Sequence, residues 1–140
     1  MKSEEESLKQ AFLFLQGIDE FNNQQFYQCH NTLESIWLEA KEPDKTFYQG
    51  ILQISVGCYH LEQLNWKGSV ILLGEGIKKL RDYQPSYQEL DIANFLKYSS
   101  IFLKTIQATK PEDIRQESEN FKTLFPRIVK IDLNISNQRS

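Results

Sequence analysis

The side chains best suited to chemistry fall in one part of the sequence: His30 with Glu34 four residues on, then Gln49, Gln53 and His60. At 3.6 residues per helical turn, His30 sits in the middle of the apolar stripe made by Phe26, Leu33 and Trp37, so its imidazole is expected to face inward, with Glu34 in reach. On the next helix Thr46, Gln49, Gly50, Gln53, Gly57 and His60 share one line, a polar and glycine-lined stripe on an otherwise apolar rod. If the two stripes face each other, His30, Glu34, Gln49, Gln53 and His60 meet in a pocket of low dielectric, where polar groups are costly unless paired. Two readings compete. One is a buried hydrogen-bond network that sets the packing register of two helices. The other is a metal-dependent or acid-base enzyme of the hydrolase type using His30, Glu34 and His60, because imidazole titrates near neutrality and a carboxylate can orient it. The second is short of ligands, since three firm ones are normally wanted and glutamine is a poor zinc ligand. No cofactor is called for, and the spacing leaves metal binding open.

The elements that must position these groups are helices. Ser3-x-x-Glu6 is a capping box, and Leu8, Ala11, Phe12, Leu15 and Ile18 form an amphipathic stripe ending near Phe21-Asn22-Asn23. A second helix repeats the pattern at Phe26, Cys29, Leu33, Ile36, Trp37 and Ala40. Pro43 suits the first turn of a third, which runs to about Leu64 and is apolar on most sides, hence central. Asn65 can cap a fourth with Val70, Leu73, Ile77 and Leu80, stopped by the turn Tyr83-Gln84-Pro85-Ser86. A fifth carries Ile92, Phe95, Leu96, Phe102, Leu103 and Ile106. Pro111 opens a short sixth with Ile114, Phe121 and Leu124 before Pro126 forbids continuation. Beyond it Ile131, Leu133 and Ile135 alternate with Lys130, Asp132 and Asn134, the two-residue period of an extended segment. The fold class is therefore all-α: a compact bundle of five to six helices organised as hairpins, residues 1–126, with an extended C-terminal tail, residues 127–140. A weak internal echo aligns Phe21-Asn22 and the helix to Trp37 with Leu64-Asn65 and the helix to Leu80.

With 140 residues, 40% of them apolar, one core is expected. A net charge of -3 and a pI near 5.4 offer no broad attraction for phosphate backbones, so nucleic acid is not an expected partner. Met1-Lys2-Ser3-Glu4-Glu5-Glu6 lacks the form of a signal peptide, and the longest uncharged stretch, Thr46 to Leu61, is too short for a bilayer. No membrane role follows. Cys29 and Cys58 fit no zinc spacing or disulfide framework and sit among apolar residues, as expected of a soluble, cytoplasmic protein. Trp37 and Trp66 read as core residues, and Lys78, Lys79 and Arg81 as a solvated helix end.

The residues Phe21-Asn22, Phe26-Tyr27, His30, Glu34 and Trp37, then Tyr48-Gln49-Gly50 with Gln53, His60 and Asn65-x-x-Gly68, resemble a family known as domain of unknown function 309, small helical proteins of bacteria, archaea and plastids. The resemblance spans residues 17 to 82. It adds Trp37 and Tyr48 to the candidate polar site. Three positions depart from the family pattern: Asn31 where an acidic residue usually follows the histidine, Gln24 where glycine is typical of the turn, and Ser69 for alanine. The resemblance implies an all-helical bundle and no particular activity. The leading expectation is a non-enzymatic helical module with a structural role or a groove for a protein, peptide or small molecule. The tail could also pair with a second chain to give a homo-dimer.

Overall fold

The structure, a computed structural model, describes residues 3–131. Among these residues six helices follow one another: α1 (Glu4–Asn22), α2 (Phe26–Trp37), α3 (Asp44–Glu62), α4 (Trp66–Leu80), α5 (Ile92–Gln107) and α6 (Ile114–Lys122). The expected caps are in place. Ser3 accepts from the Glu6 amide at 3.1 Å and Asn65 from the Gly68 amide at 2.9 Å, each satisfying an amide that the helix leaves unpaired. At α3 the cap comes from Glu42, whose carboxylate accepts from the Thr46 amide (2.8 Å) and hydroxyl (2.6 Å). Those two hydrogen bonds hold its carboxyl below the usual range.

The first four helices are two copies of one hairpin. Asn22 and Glu62 end the leading helices, Gln24 and Leu64 take positive φ (58° and 60°), and Phe26 and Trp66 open the returning helices, a constant offset of 40 residues. The turn hydrogen bonds repeat as well: Gln25 N to Glu20 O at 2.9 Å is matched by Asn65 N to His60 O at 2.8 Å. So does the packing. A Cβ on Gly17 would lie 2.7 Å from Leu33, and one on Gly57 would lie 2.7 Å from Leu73. The internal echo is therefore a structural repeat, but its register pairs Phe21 with Leu61 instead of Leu64. The sequence alignment slipped because it matched two Phe/Leu-Asn pairs, one of which precedes the turn while the other is the turn itself.

The face of α1 also differs from expectation. Phe14, Gly17, Ile18 and Phe21 are buried, whereas Leu8, Ala11, Phe12 and Leu15 lie outside. The helix carries two apolar stripes, and the one bearing glycine and two aromatic rings wins the core. Gly17 lets Leu33 come close, and Phe21 stacks edge-on against Phe26 (5.2 Å) and Phe95 (5.5 Å), joining α1, α2 and α5. Leu124 is likewise exposed, lying beyond the end of α6.

Between α4 and α5 a small hairpin interrupts the helices. Strands β1 (Ser86–Tyr87) and β2 (Leu90–Asp91) pair antiparallel around Gln88 and Glu89, both at positive φ. The chain returns beside β2: Asp91 N donates to Val129 O (2.8 Å) and Ile131 N to Glu89 O (3.0 Å). The alternating tail beyond it, Asp132 to Ile135, lies outside the described residues. An aromatic cluster of Phe47, Tyr48, Tyr83 and Tyr87, with Phe14 against Phe47 and Tyr48, fixes the hairpin to α1 and α3.

Tyr87 donates its hydroxyl to Asp44 Oδ1 at 2.6 Å. That bond, then burial, then the charge of Asp44, raises the phenol well above its ordinary range. Because the folded state holds this proton more tightly than the unfolded chain, the stabilisation is complete below about pH 10 and is lost as the pH rises beyond it. Stability should therefore fall on the alkaline side. Ultraviolet titration should show a late-titrating phenol that moves to lower pH in Asp44→Asn; an unchanged titration would remove Asp44 as the cause.

Candidate functional site

Six of the seven candidate residues share one surface, but not as a closed pocket. On α3, Gln49, Gln53 and His60 lie along the half-buried side that α2 and α4 flank, as helical periodicity requires. Toward α4, Gln53 Nε2 donates to Glu75 Oε2 at 3.4 Å, and Asn65 Nδ2 lies 3.3 Å from His60 Nδ1. Toward α2, the Tyr27 and Tyr59 rings meet at 5.5 Å, and Lys45 Nζ stands 5.4 Å from the Trp37 ring centre. His30 and Glu34 pair on α2 at 3.3 Å, with side chains 32% and 44% exposed.

These exposures correct the inward histidine and the low-dielectric pocket. Phe26, Cys29, Leu33 and Ile36 fill the buried face of α2, which leaves His30 at its margin. Gly50 and Gly57 do face a neighbour, but the neighbour is α4: Leu80 and the Gly76 carbonyl lie over Gly50, and Leu73 over Gly57. Tyr48 departs from the set. It is 6% exposed, packs on Phe14 and Phe47, and accepts from Gln88 Nε2 at 3.2 Å, so it belongs to the core. Burial raises its phenol.

The buried network and the metal-dependent form of the enzyme reading both lack support in this geometry. His30 and His60 are held by different partners on different helices, and among the described residues no three His, Cys, Asp or Glu side chains stand close enough to hold a metal. Nor is this a buried network, since its members are partly exposed and paired locally. Glu34→Ala should accordingly cost no more than about 0.5 kcal/mol, the size of a surface i, i+4 pair. A loss of 2 kcal/mol or more in denaturant unfolding, on the order expected for a buried carboxylate acceptor, would contradict the placement.

Other polar groups are structural. Trp66 Nε1 lies 3.0 Å from the carbonyls of both Ile106 and Thr109 and closes the end of α5. Both cysteines are fully buried. Desolvation pushes the Cys29 thiol up to about 12 and raises Cys58 well above its usual range, so neither is a nucleophile at neutral pH. Tyr59, Lys45 and Glu75 belong to the face but were not singled out from the sequence. Only their three-dimensional neighbours mark them.

Residues 14–72 match the family model of a domain of unknown function (DUF309). The chain resembles DUF309. The matched stretch begins at Phe14, where α1 turns into the core, and ends inside α4, so it takes in the second half of α1, all of α2 and α3 and the start of α4. His30, Glu34, Trp37, Gln49, Gln53 and His60 all lie within it, while the β-hairpin, α5 and α6 do not. The DUF309 description names no activity. No curated protein and no solved structure matches the chain. Among the described residues no helix is long and apolar enough to cross a membrane.

Proposed function

We propose that this chain is a non-enzymatic helical module that binds an elongated polypeptide partner across the half-exposed face of α2, α3 and α4. The observation that carries the reading is the form of that face. Aromatic rings (Tyr27, Trp37, Tyr59) and hydrogen-bonding groups (His30, Glu34, Gln49, Gln53, His60) spread along α3 without closing into a cavity. At 1.5 Å per residue the 19 residues of α3 extend about 28 Å, a length that suits a strand or helix better than a small molecule, which wants an enclosed site. Tyrosine and tryptophan are also the side chains that supply much of the binding energy where proteins meet. Gln53 Oε1 is buried without a hydrogen-bond partner, although most such atoms are paired. Two buried thiols kept in the reduced form, and a net charge of -3, support a cytoplasmic setting and a protein partner over nucleic acid.

The test is a photo-reactive benzoylphenylalanine placed at Tyr59 in the full chain within cells, with Lys104 of α5 as the control position. Position 59 should give a discrete covalent adduct, identifiable by mass spectrometry, that weakens when His30 and Gln53 are both replaced by alanine. No adduct above the control would defeat the proposal. For the enzyme alternative, saturating zinc, manganese or nickel should leave thermal unfolding unchanged, because a ligand that prefers the native state must raise its apparent stability. A shift abolished by His30→Ala would reopen the metal reading.

A further inference from the structure

Charge is unevenly distributed along this chain. Acidic residues outnumber basic ones 19 to 16 in the whole sequence, yet the stretches from Ile92 to Lys110 and from Asn120 to Ile131 hold six basic residues and no acidic one. In the fold these stretches pack together, Phe102 of α5 against Phe121 (6.4 Å) and Phe125 (5.1 Å), so their positive charge gathers in one region. On α1 the balance is the opposite: Glu4, Glu5, Glu6, Asp19 and Glu20 stand against a single base, Lys9.

Each of these regions carries an exposed apolar patch. On α1, Leu8, Phe12 and Leu15 are 68%, 68% and 52% exposed and, at i, i+4 and i+7, form a ridge on the face turned away from the core. Helical spacing continues the same line to Glu5 at one end and Asp19 at the other. Between α5 and the returning chain, Tyr98, Ile101, Leu124 and Val129, all at least 41% exposed, line a cleft of about 440 Å³. Lys97 Nζ lies 5.5 Å from the Tyr98 ring centre. Arg127 also lines the cleft and gives one N–H to the Asn22 carbonyl (3.0 Å), a neutral partner that leaves its charge in place. Asp91, just before α5, is occupied in capping it, accepting from the Asn94 amide at 2.9 Å.

Contiguous exposed apolar patches mark interaction sites, and the charges around these two select how they pair. Two ridges set face to face would bring carboxylate against carboxylate, and two clefts would bring lysine against arginine. Ridge and cleft of one molecule cannot meet, because the ridge is on the outer face of a helix whose inner face is fixed to α5 through Phe21 and Phe95 (5.5 Å). The complement of each patch is therefore on another copy.

We propose that copies of this chain associate head to tail, the acidic α1 ridge of one seated in the basic cleft of the next, with Phe12 as the central apolar anchor. A contact between two different surfaces is heterologous, so it adds copies in succession and stops only if the rotation closes a ring. Neither patch shares a residue with the face of α2, α3 and α4. Every copy in the array keeps that face free, which makes the array multivalent for any partner the face binds.

Two surface variants of the full chain test the pairing by complementation. Sedimentation equilibrium of the unaltered chain at low ionic strength should show a mass that climbs past two chains as the concentration is raised. Phe12→Glu and Ile101→Glu should each stay at one chain, with the helical circular dichroism spectrum unchanged. Mixed in equal amounts, they should give a mass of two chains, because the intact cleft of the first accepts the intact ridge of the second and no further copy can add. A second measurement needs no variant: at about 1 M salt, where the screening length is about 3 Å, the mass of the unaltered chain should fall. A single-chain mass at every concentration up to about 1 mM, already a weak affinity, would overturn the proposal, as would a mixture that stays at one chain or a mass indifferent to salt. A two-chain mass abolished by Phe12→Glu but untouched by Ile101→Glu would pair ridge with ridge and overturn it too. So would a single-chain protein that sediments with phosphatidylserine vesicles and loses this in Ile101→Glu, since the cleft would then belong to an anionic lipid surface.

Discussion

Phe21→Ala is expected to lower the free energy of unfolding by about 3–5 kcal/mol, the range for removing a fully buried phenylalanine. Phe21 is completely buried and meets Phe26 of α2 and Phe95 of α5 edge-on, so the deletion leaves a void where three helices converge and removes two aromatic contacts as well. A typical domain has only about 5–15 kcal/mol of stability in all, so a substantial fraction is at stake. Urea unfolding should show a lower midpoint with an unchanged slope. A loss below about 1 kcal/mol would mean that the site collapses around the gap and that Phe21 is not the junction described.

Gly76→Ala should cost about 2–3 kcal/mol, while Gly74→Ala, two residues earlier on the same helix, should be neutral or stabilise by up to about 1 kcal/mol. The contrast is geometric. A Cβ on Gly76 would fall 2.7 Å from the Gly50 carbonyl oxygen and 3.0 Å from the Ile54 nitrogen, backbone atoms that cannot swing aside, whereas a Cβ on Gly74 meets nothing within 4 Å. Alanine gains helix propensity at both positions, so only the close approach of α3 and α4 can separate them. Equal melting temperatures for the two variants would show that the helices can part at no cost. The same approach explains why the glycines in α3 are not the lining of a pocket: Gly50 and Gly76 are the two sides of one helix crossing.

The order of helices was legible because it rests on local rules. Ser3 and Asn65 cap by reaching three residues along the chain, and Phe95, Phe102 and Ile106 repeat at the helical period whatever lies opposite them. The β-hairpin was not legible, because its two-residue turn holds Gln88 and Glu89 at positive φ without the Asn-Gly or Asp-Gly that announces such a turn. The candidate face was half legible. Spacing put Gln49, Gln53 and His60 on one line, but a line on a helix does not say which neighbour it meets, and the expected pocket dissolved once Gly50 and Gly57 proved to face α4.

Local chemistry therefore settled the helices, their caps, the pairing of His30 with Glu34 and the resemblance to DUF309, since each depends on residues a few positions apart. Packing settled the rest. Of two apolar stripes on α1, the one with Gly17 under Leu33 and Phe21 between two rings went inward, because burial rewards close approach and aromatic area more than a count of leucines. His30 was left at the rim of α2 and Tyr48 was drawn into the core for the same reason: a wheel orders side chains around one helix, and only the neighbouring helices decide how much of each is taken from water.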